Sequence, residues 1–408
     1  MMGGEIMKIL MINKFLFPNG GSETYILKLG AELKRQGHEV AYFGMRHDGN
    51  VVGNTENSYT SNMDFHGGSL KTRLSYAFRT IYSREARKRI RAVLDSFEPD
   101  VCHLNNFNYQ LTPSIILEIK KWRKSTKRPC KIIYTAHDYQ LVCPNHMCRN
   151  PVSNHNCEKC LSGNYTYCFK DRCIHGSAAK SLIGMLEAFV WRYAKVYENF
   201  DKIVCCSDFM KSKLDKNPVL RNKTVTIYNF IDKEKLENVE KKDYVLYFGR
   251  YHKEKGIETL VNVCKRLPEI DFIFAGTGSM EKLFEDAENI KNVGFKSGQE
   301  LDRLIAEARF TVYPSEWYEN CPFSVMESIS LGTPVLGADI GGIPELIKVG
   351  VDGELFESGN EDELRSKILE MWKKYDTAFS CEYAQLESRF NDTEMYTREL
   401  VDSIYSIT

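Results

Sequence analysis

The sequence predicts an α/β protein built from two doubly wound domains, each a parallel sheet with helices on both faces. Three observations lead there. Apolar runs of strand length alternate with segments at helical spacing through most of the chain. The runs have the look of strands buried on both faces. A polar stretch, LENVEKKDY, ends near residue 240, and a second strand–loop–helix series starts after it. With 408 residues there is enough chain for two substantial cores.

The elements follow in order. KILMINKF is a strand bounded by Pro18 to Gly21. SETYILKLGAELKRQG is a helix with Ile26, Leu29 and Leu33 on one face, Ser22 as its cap and Gly37 as its stop. HEVAYFG resumes as a strand. DVCHLN, KIIYTAHD, KIVCCS and TVTIYNF complete the first sheet, and YVLYFGR, DFIFAGTG, FTVYPS and PVLGAD supply the second. Pro322 to Leu331 is a short helix, with Pro322 in its first turn and Gly332 as a left-handed stop. No fixed-period repeat or low-complexity tract is visible.

Composition narrows the function. Hydrophobic residues at 43% and charged residues at 27% describe an ordinary globular protein, and a formal net charge of zero gives no basis for a nucleic-acid partner. No apolar run approaches the ~20 residues of a membrane span. Lys8 interrupts the N-terminal apolar run, no cleavage site follows, and Met2 excludes the myristoylation pattern. The expectation is a cytoplasmic chain in which disulfides are rare.

Ligands of open α/β sheets bind beyond the carboxyl ends of strands, and the candidate residues lie there. Gly20 and Gly21 follow the first strand and open a helix, where backbone can approach an anion. They match neither a dinucleotide fingerprint nor a P-loop, and a structural turn is the alternative. His137 and Asp138 end KIIYTAHD; a hydrogen-bonded structural histidine is the alternative there. Arg250 and Lys255 follow the first strand of the second half, a planar fork and a point charge suited to diphosphate, or else two surface cations. Gly276 to Ser279, and the loop around Phe295, suit a nucleotide pocket or a plain turn. Glu319 and Glu327 flank the start of the Pro322 helix, whose free N–H groups suit an anion and whose carboxylates suit hydroxyls, or else this is an ordinary helix with two solvated glutamates, which the spacing alone favours. No Asp-x-Asp pair occurs, so metal-independent catalysis is expected, with positive charge from Arg250, Lys255 and helix ends.

Assembled, these segments resemble glycosyltransferase family 4, retaining nucleotide-sugar enzymes of the GT-B fold, in which two Rossmann-like domains face each other across a cleft. The resemblance covers almost the whole chain: the GG loop with its strand and helix, TAHDY, SDFMKSKL, IYNFID, GRYHKEKG, AGTGSMEKL, VGFKSGQEL and PSEWYENCPFSVMESISLGTPVLGADIGGIPELI. It implies that Arg250 and Lys255 bind the donor diphosphate and Glu327 the ribose. Glu319 then faces the transferred sugar, the amides of Phe323, Ser324 and Val325 approach the distal phosphate, and Gly21 lines it. His137 lies near the acceptor. It implies a first domain of residues 1–238 plus about 386–408 and a second of 239–385. The expected donor is a UDP- or GDP-sugar and the acceptor a glycan or lipid-linked molecule of polysaccharide assembly. The rivals are an epimerase or phosphorylase on the same fold and a catalytically silent nucleotide-binding or scaffold protein.

Two features stand outside this scheme. Cys143, Cys148, Cys157, Cys160, Cys168 and Cys173 crowd an insertion at about 143–175, six of the thirteen cysteines. In a reducing compartment a structural zinc ion is one reading, an iron–sulfur cluster a second and metal-free buried thiols a third. Lys71, Arg73, Arg79, Arg84, Arg87, Lys88, Arg89 and Arg91, interleaved with Leu74, Tyr76, Phe78, Ile81 and Ile90, suggest a basic amphipathic helix on an anionic membrane surface, or a solvated helical face.

Overall fold

The computed structural model describes residues 6–62, 79–233, 235–237, 239–374 and 389–406. The chain divides into two units, Met1–Ile227 with Thr393–Thr408, and Tyr228–Asp392. The divisions expected from the sequence stood at 238/239 and about 386.

In the first unit the apolar runs become β1 (Lys8–Ile12), α1 (Gly21–Arg35) and β2 (Glu39–Phe43), then α2 (Arg84–Phe97), β3 (Val101–Leu104), α3 (Ser114–Thr126) and β4 (Lys131–Ala136). The cysteine-rich insertion follows with two-residue strands β5 (Arg149–Asn150) and β6 (His155–Asn156) and the short α4 (Thr166–Lys170). α5 (Ala178–Tyr193), β7 (Lys202–Cys205), α6 (Asp208–Leu214) and β8 (Thr224–Thr226) complete the series. The sheet is ordered β2-β1-β3-β4-β7-β8 with every neighbouring pair parallel. Leu10, Met11, Ile12, Ile132, Ile133 and Tyr134 have no exposed surface, as strands covered on both faces require.

The second unit repeats the plan. β9 (Lys242–Phe248), α7 (Ile257–Lys265), β10 (Phe272–Ala275), β11 (Ile290–Asn292), α8 (Gly298–Glu307) and β12 (Ala308–Tyr313) come first. α9 (Phe323–Ser330), β13 (Val335–Ala338), α10 (Ile343–Leu346), β14 (Gly353–Phe356) and α11 (Glu361–Lys374) follow. The order is β11-β10-β9-β12-β13-β14, again parallel throughout. Phe272, Phe274, Phe310 and Val312 pack against Ile257, Leu260 and Val261 of α7 and Leu364 and Ile368 of α11. Truncating a core phenylalanine such as Phe310 to alanine costs about 3–5 kcal/mol in packings of this kind.

The chain then returns to the first unit as α12 (Thr393–Leu400) and a π-helical turn, Val401–Tyr405. Strand order reverses between β1 and β3 and between β9 and β12. Crevices at such switch points are where ligands enter open α/β sheets.

Three local expectations differ from the structure. Gly20, in extended backbone, caps α1, so Ser22 lies inside the first turn, where it donates to Glu23 Oε1 (3.0 Å) and accepts from Asn106 Nδ2 (3.0 Å). Pro322 is the N-cap of α9 rather than a first-turn residue, because its ψ of 122° is extended. β8 is only three residues long, ending one residue before the chain passes into the second unit.

Candidate functional site

In the second unit the loops after β9 and β12 leave adjacent strands on the same edge of the sheet. Two glycines press the surrounding backbone together. Gly256 (φ +71°) lies so close that a Cβ there would stand 1.8 Å from the Pro314 carbonyl oxygen. Gly341 (φ +65°) likewise leaves a Cβ only 2.3 Å from the Glu319 carbonyl oxygen. The Gly342 amide donates to that same oxygen at 2.7 Å, and the Glu316 amide donates to Glu254 at 3.0 Å. No side chain other than hydrogen fits such approaches.

The result is a buried ion pair. Lys255 Nζ stands 2.5 Å from Glu319 Oε1, the two side chains 14% and 8% exposed. The same oxygen accepts from Tyr313 Oη (3.1 Å) and Ser315 Oγ (3.0 Å). The ammonium also lies 5.2 Å from the Trp317 ring and 5.7 Å from the Tyr313 ring. Burial alone would raise the Glu319 pKa, but the Lys255 charge and the bonds it receives outweigh that and hold it below the usual carboxylate range.

Arg250 follows β9 and is exposed; its carbonyl accepts from Tyr247 Oη (3.0 Å), while its side chain makes no hydrogen bond or ion pair among the described residues. Its charge is felt by Tyr247 and Tyr313, which puts it in the same electrostatic neighbourhood. The Tyr251 amide donates to Thr277 (2.9 Å), which laces the Gly276 turn to the Arg250 loop, and the Gly276 amide donates to Gly294 (2.9 Å) beside the 72%-exposed Phe295. Phe323, Ser324 and Glu327 are half-buried on α9 and Val325 is buried. The Val325 amide already donates to the Pro322 carbonyl (3.2 Å), so Phe323 and Ser324 carry the amides that have no acceptor within the helix.

The first unit gathers a different set at the ends of β1, β3 and β4. Gly20 and Gly21 open α1. Asn13, just past β1, donates to Glu23 Oε1 (2.9 Å) and accepts from the Asn106 amide (2.9 Å). His137 Nε2 pairs with Asn105 Oδ1 (2.9 Å), and its ring meets Tyr25 edge-on at 4.8 Å. Beneath it Tyr25 Oη contacts Thr135 Oγ1 (3.2 Å) and Tyr396 Oη (2.7 Å). His103 bridges Thr135 (2.7 Å) and Tyr405 (2.5 Å). Desolvation lowers both imidazole pKa values, that of His103 to about 3, so both rings are neutral near pH 7. His137 is therefore a hydrogen-bonding group and not a cation. Asp138 accepts from the Gln140 amide (2.9 Å) and faces His146 at 3.8 Å.

Sequence reasoning missed Tyr313, Ser315, Asn13, Glu23 and Asn105. The signal was present for three of them: Tyr313, Asn13 and Asn105 are polar groups at strand ends, the criterion that selected His137.

In the insertion, Cys143, Cys148, Cys160, Cys168 and Cys173 are buried and Cys157 half-buried. Cys143, Cys157, Cys160, Cys168 and Cys173 line one cavity of about 10 Å³, room for a single atom. Hydrogen bonds between thiols, from Cys148 and from Cys168, lower the pKa values of Cys143 and Cys173. Among the described residues no three His, Cys, Asp or Glu side chains are arranged to hold a metal ion.

Comparison with known proteins agrees with this architecture. Residues 19–235 match the model of Glycosyltransferase Family 4, and residues 229–385 match that of glycosyl transferases group 1. An uncharacterized glycosyltransferase of Methanocaldococcus jannaschii is 33% identical over 208 residues, 48% of this chain and 57% of that protein, so the chain matches little more than half of that relative's length. An uncharacterized 42.6 kDa protein in the cps region of Klebsiella pneumoniae is 23% identical over 366 residues, covering 84% and 88% of the two chains. Among solved structures, Anabaena HepE in complex with UDP superposes with a TM-score of 0.66 at 17% identity, covering 98% of this chain and all of that one. Sucrose-phosphate synthase from Thermosynechococcus elongatus gives 0.65 at 16%, covering 98% and 96%. The two parallel-sheet units thus have the GT-B fold, and with a family model matched over more than half its length, the chain belongs to glycosyltransferase family 4.

Proposed function

We propose that this protein is a retaining glycosyltransferase that moves a sugar from a UDP- or GDP-sugar to a glycan or lipid-linked acceptor in polysaccharide assembly. The observation that carries the reading is the buried Lys255–Glu319 pair at the switch point of the second unit, with Arg250 unpaired among the described residues beside it. HepE structures containing UDP and UDP-glucose support a nucleotide-sugar donor. Relatives named for amylovoran and O-antigen biosynthesis support the acceptor class.

In this reading Arg250 and Lys255 hold the diphosphate, and the first amides of α9 meet its distal phosphate. Glu327 accepts from ribose hydroxyls. Glu319 orients Lys255 and accepts from a sugar hydroxyl, while neutral His137 hydrogen-bonds on the acceptor side. The C1–O bond to the phosphate breaks as cationic groups stabilise the charge gathering on the diphosphate. The acceptor oxygen bonds to C1 from the same face, and its proton passes to the departing phosphate oxygen. Catalysis needs no metal ion in this scheme.

The test is release of UDP or GDP from a panel of nucleotide sugars, with and without a glycan acceptor. Arg250→Ala removes an exposed side chain and should leave the fold unchanged while slowing turnover by about a hundredfold or more. Equal turnover in the variant sinks the reading, and free UDP accumulating alongside an epimerised sugar, without acceptor, selects the epimerase instead.

We further propose that the insertion holds a structural zinc ion. Five thiols around one atom-sized space supply the soft donors zinc prefers, drawn from Cys143, Cys157, Cys160, Cys168 and Cys173 with Cys148 adjacent. Binding requires these thiols to turn away from the bonds they make with one another.

A further inference from the structure

Lys14 is a half-buried cation without a counter-ion at the ligand edge of the first sheet. It follows Asn13 past the end of β1. Its amide donates to the Asn106 carbonyl (2.8 Å) and its carbonyl accepts from the Met45 amide (3.0 Å), so its backbone is held between residues just past β3 and β2. Asn105, next to the first of these partners, holds His137. The Lys14 ammonium makes no hydrogen bond or ion pair among the described residues, and Asp138 faces His146 instead (3.8 Å). Keeping a charge partly out of water without a partner is unfavourable, and an anionic ligand relieves it.

Two aromatic stacks adjoin this cation. The first begins at the Phe15 ring, 5.5 Å from the ammonium; Phe15 tilts against Phe17 (centroids 5.5 Å), and Phe17 stacks on His47 (4.2 Å, planes 22° apart). Phe15 and Phe17 are half-buried and His47 is exposed. The Gly49 amide donates to His47 Nδ1 (3.0 Å), which leaves the Nε2 proton for a hydroxyl. In the second stack His146, which feels the Lys14 charge, lies on Tyr109 (4.9 Å, 14°). Half-exposed ring faces in a row beside a cation suit a pyranose, whose C–H face is apolar and whose rim is polar.

We propose that Lys14 and the Phe17–His47 stack bind a uronic-acid residue of the acceptor, the ammonium taking its carboxylate and the rings its C–H face. The inference rests on the sugar-transfer reading and names its acceptor as an acidic glycan. Charge selects a carboxylate over a phosphate. One ammonium balances a single negative charge, whereas a phosphate monoester carries about −1.5 to −2 and favours guanidinium forks. Asp138, which acts on His146 together with Lys14, opposes the second negative charge.

The test is binding of three sugars to the full chain without donor, by ligand-observed NMR titration: cellobiose, cellobiouronic acid (the same disaccharide with a terminal carboxylate) and glucose 1-phosphate. The unaltered chain should hold cellobiouronic acid about tenfold or more tighter than cellobiose, the difference made by one charge-assisted hydrogen bond. Lys14→Met, which keeps the aliphatic stem, should erase that preference and leave cellobiose binding unchanged, and Lys14→Arg should retain most of it. Phe17→Ser should weaken both disaccharides alike. Circular dichroism checks that the variants fold. Four results overturn the proposal: no preference between the disaccharides, absence of binding included; a preference that survives Lys14→Met; disaccharide binding untouched by Phe17→Ser; or tightest binding of glucose 1-phosphate. With no donor present, the outcome is read apart from turnover, so failure of this site and failure of the sugar-transfer reading appear in different assays.

Discussion

Lys255→Met tests the site at its centre. The substitution keeps the aliphatic stem but removes the ammonium 2.5 Å from Glu319, whose side chain is 8% exposed. Glu319 retains neutral donors, among them Ser315 at 3.0 Å and Tyr313 at 3.1 Å. Removing one partner of a buried pair costs about 3–5 kcal/mol, and the surviving hydroxyls place the expected cost at roughly 3 kcal/mol. The pH dependence should change sign. In the unaltered protein the Glu319 pKa is depressed, so its contribution is present above the unfolded value and lost as pH falls through the folded value. Without Lys255, desolvation dominates and the folded pKa rises above the unfolded one. The penalty is then absent at low pH and grows as pH rises from the unfolded value to the folded one. Hydrogen exchange of β9 and β12 amides, measured from pH 5 to 8, reports the opening free energy of this unit. Lys255→Met should lose protection at pH 8 and regain much of it at pH 5, and adding Glu319→Gln should restore it at both. A cost below about 1 kcal/mol, or one that neither acid nor Glu319→Gln relieves, refutes the coupled pair.

Gly341→Ala should lower the thermal midpoint by several degrees and weaken nucleotide-sugar binding, because the new Cβ meets the Glu319 backbone at 2.3 Å where φ is +65°. Glu187 has its pKa raised to about 8 by burial, so its contribution to stability is lost as pH rises from about 4.5 to 8; Glu187→Gln should abolish that loss, on the order of 4 kcal/mol, in urea titrations across the range. Elemental analysis of the purified protein should find about one zinc per chain, released when Cys157 and Cys160 are both changed to serine. A chain with neither zinc nor iron and six freely alkylated thiols in the insertion rules out the metal.

Much of the scaffold was legible because strands and helices differ in period and because Gly and Pro punctuate them. KIIYTAHD and FTVYPS ended where their sequences changed character, and that alone located His137 and the approach to Glu319. The pairing of Lys255 with Glu319 was not legible. It depends on backbone approaches at Gly256 and Gly341, far apart in sequence, and spacing carries no record of either contact. The face of α5 was hidden for another reason. SLIGMLEAFVWRY is apolar on nearly every side, so periodicity has no minimum from which to choose an outward direction. Of the basic helix expected from Lys71 to Arg91, residues 71–78 lie outside the described residues; Arg84 to Arg91 stand on α2, where Glu118 of α3 and Asp95 neutralise part of their charge.

Tyr396 and Tyr405 complete the hydroxyl network under His137, yet they belong to the last turns of the chain. During synthesis the first unit therefore waits. The last described strand of this unit has been synthesised by residue 226, but Tyr25 and His103 lack these partners until some 180 further residues, the whole second unit among them, have been made. Domains generally fold in order of emergence. Here the hydroxyl network under His137 closes only once the second unit has been made, so a translation product that stops short of Tyr396 cannot complete it.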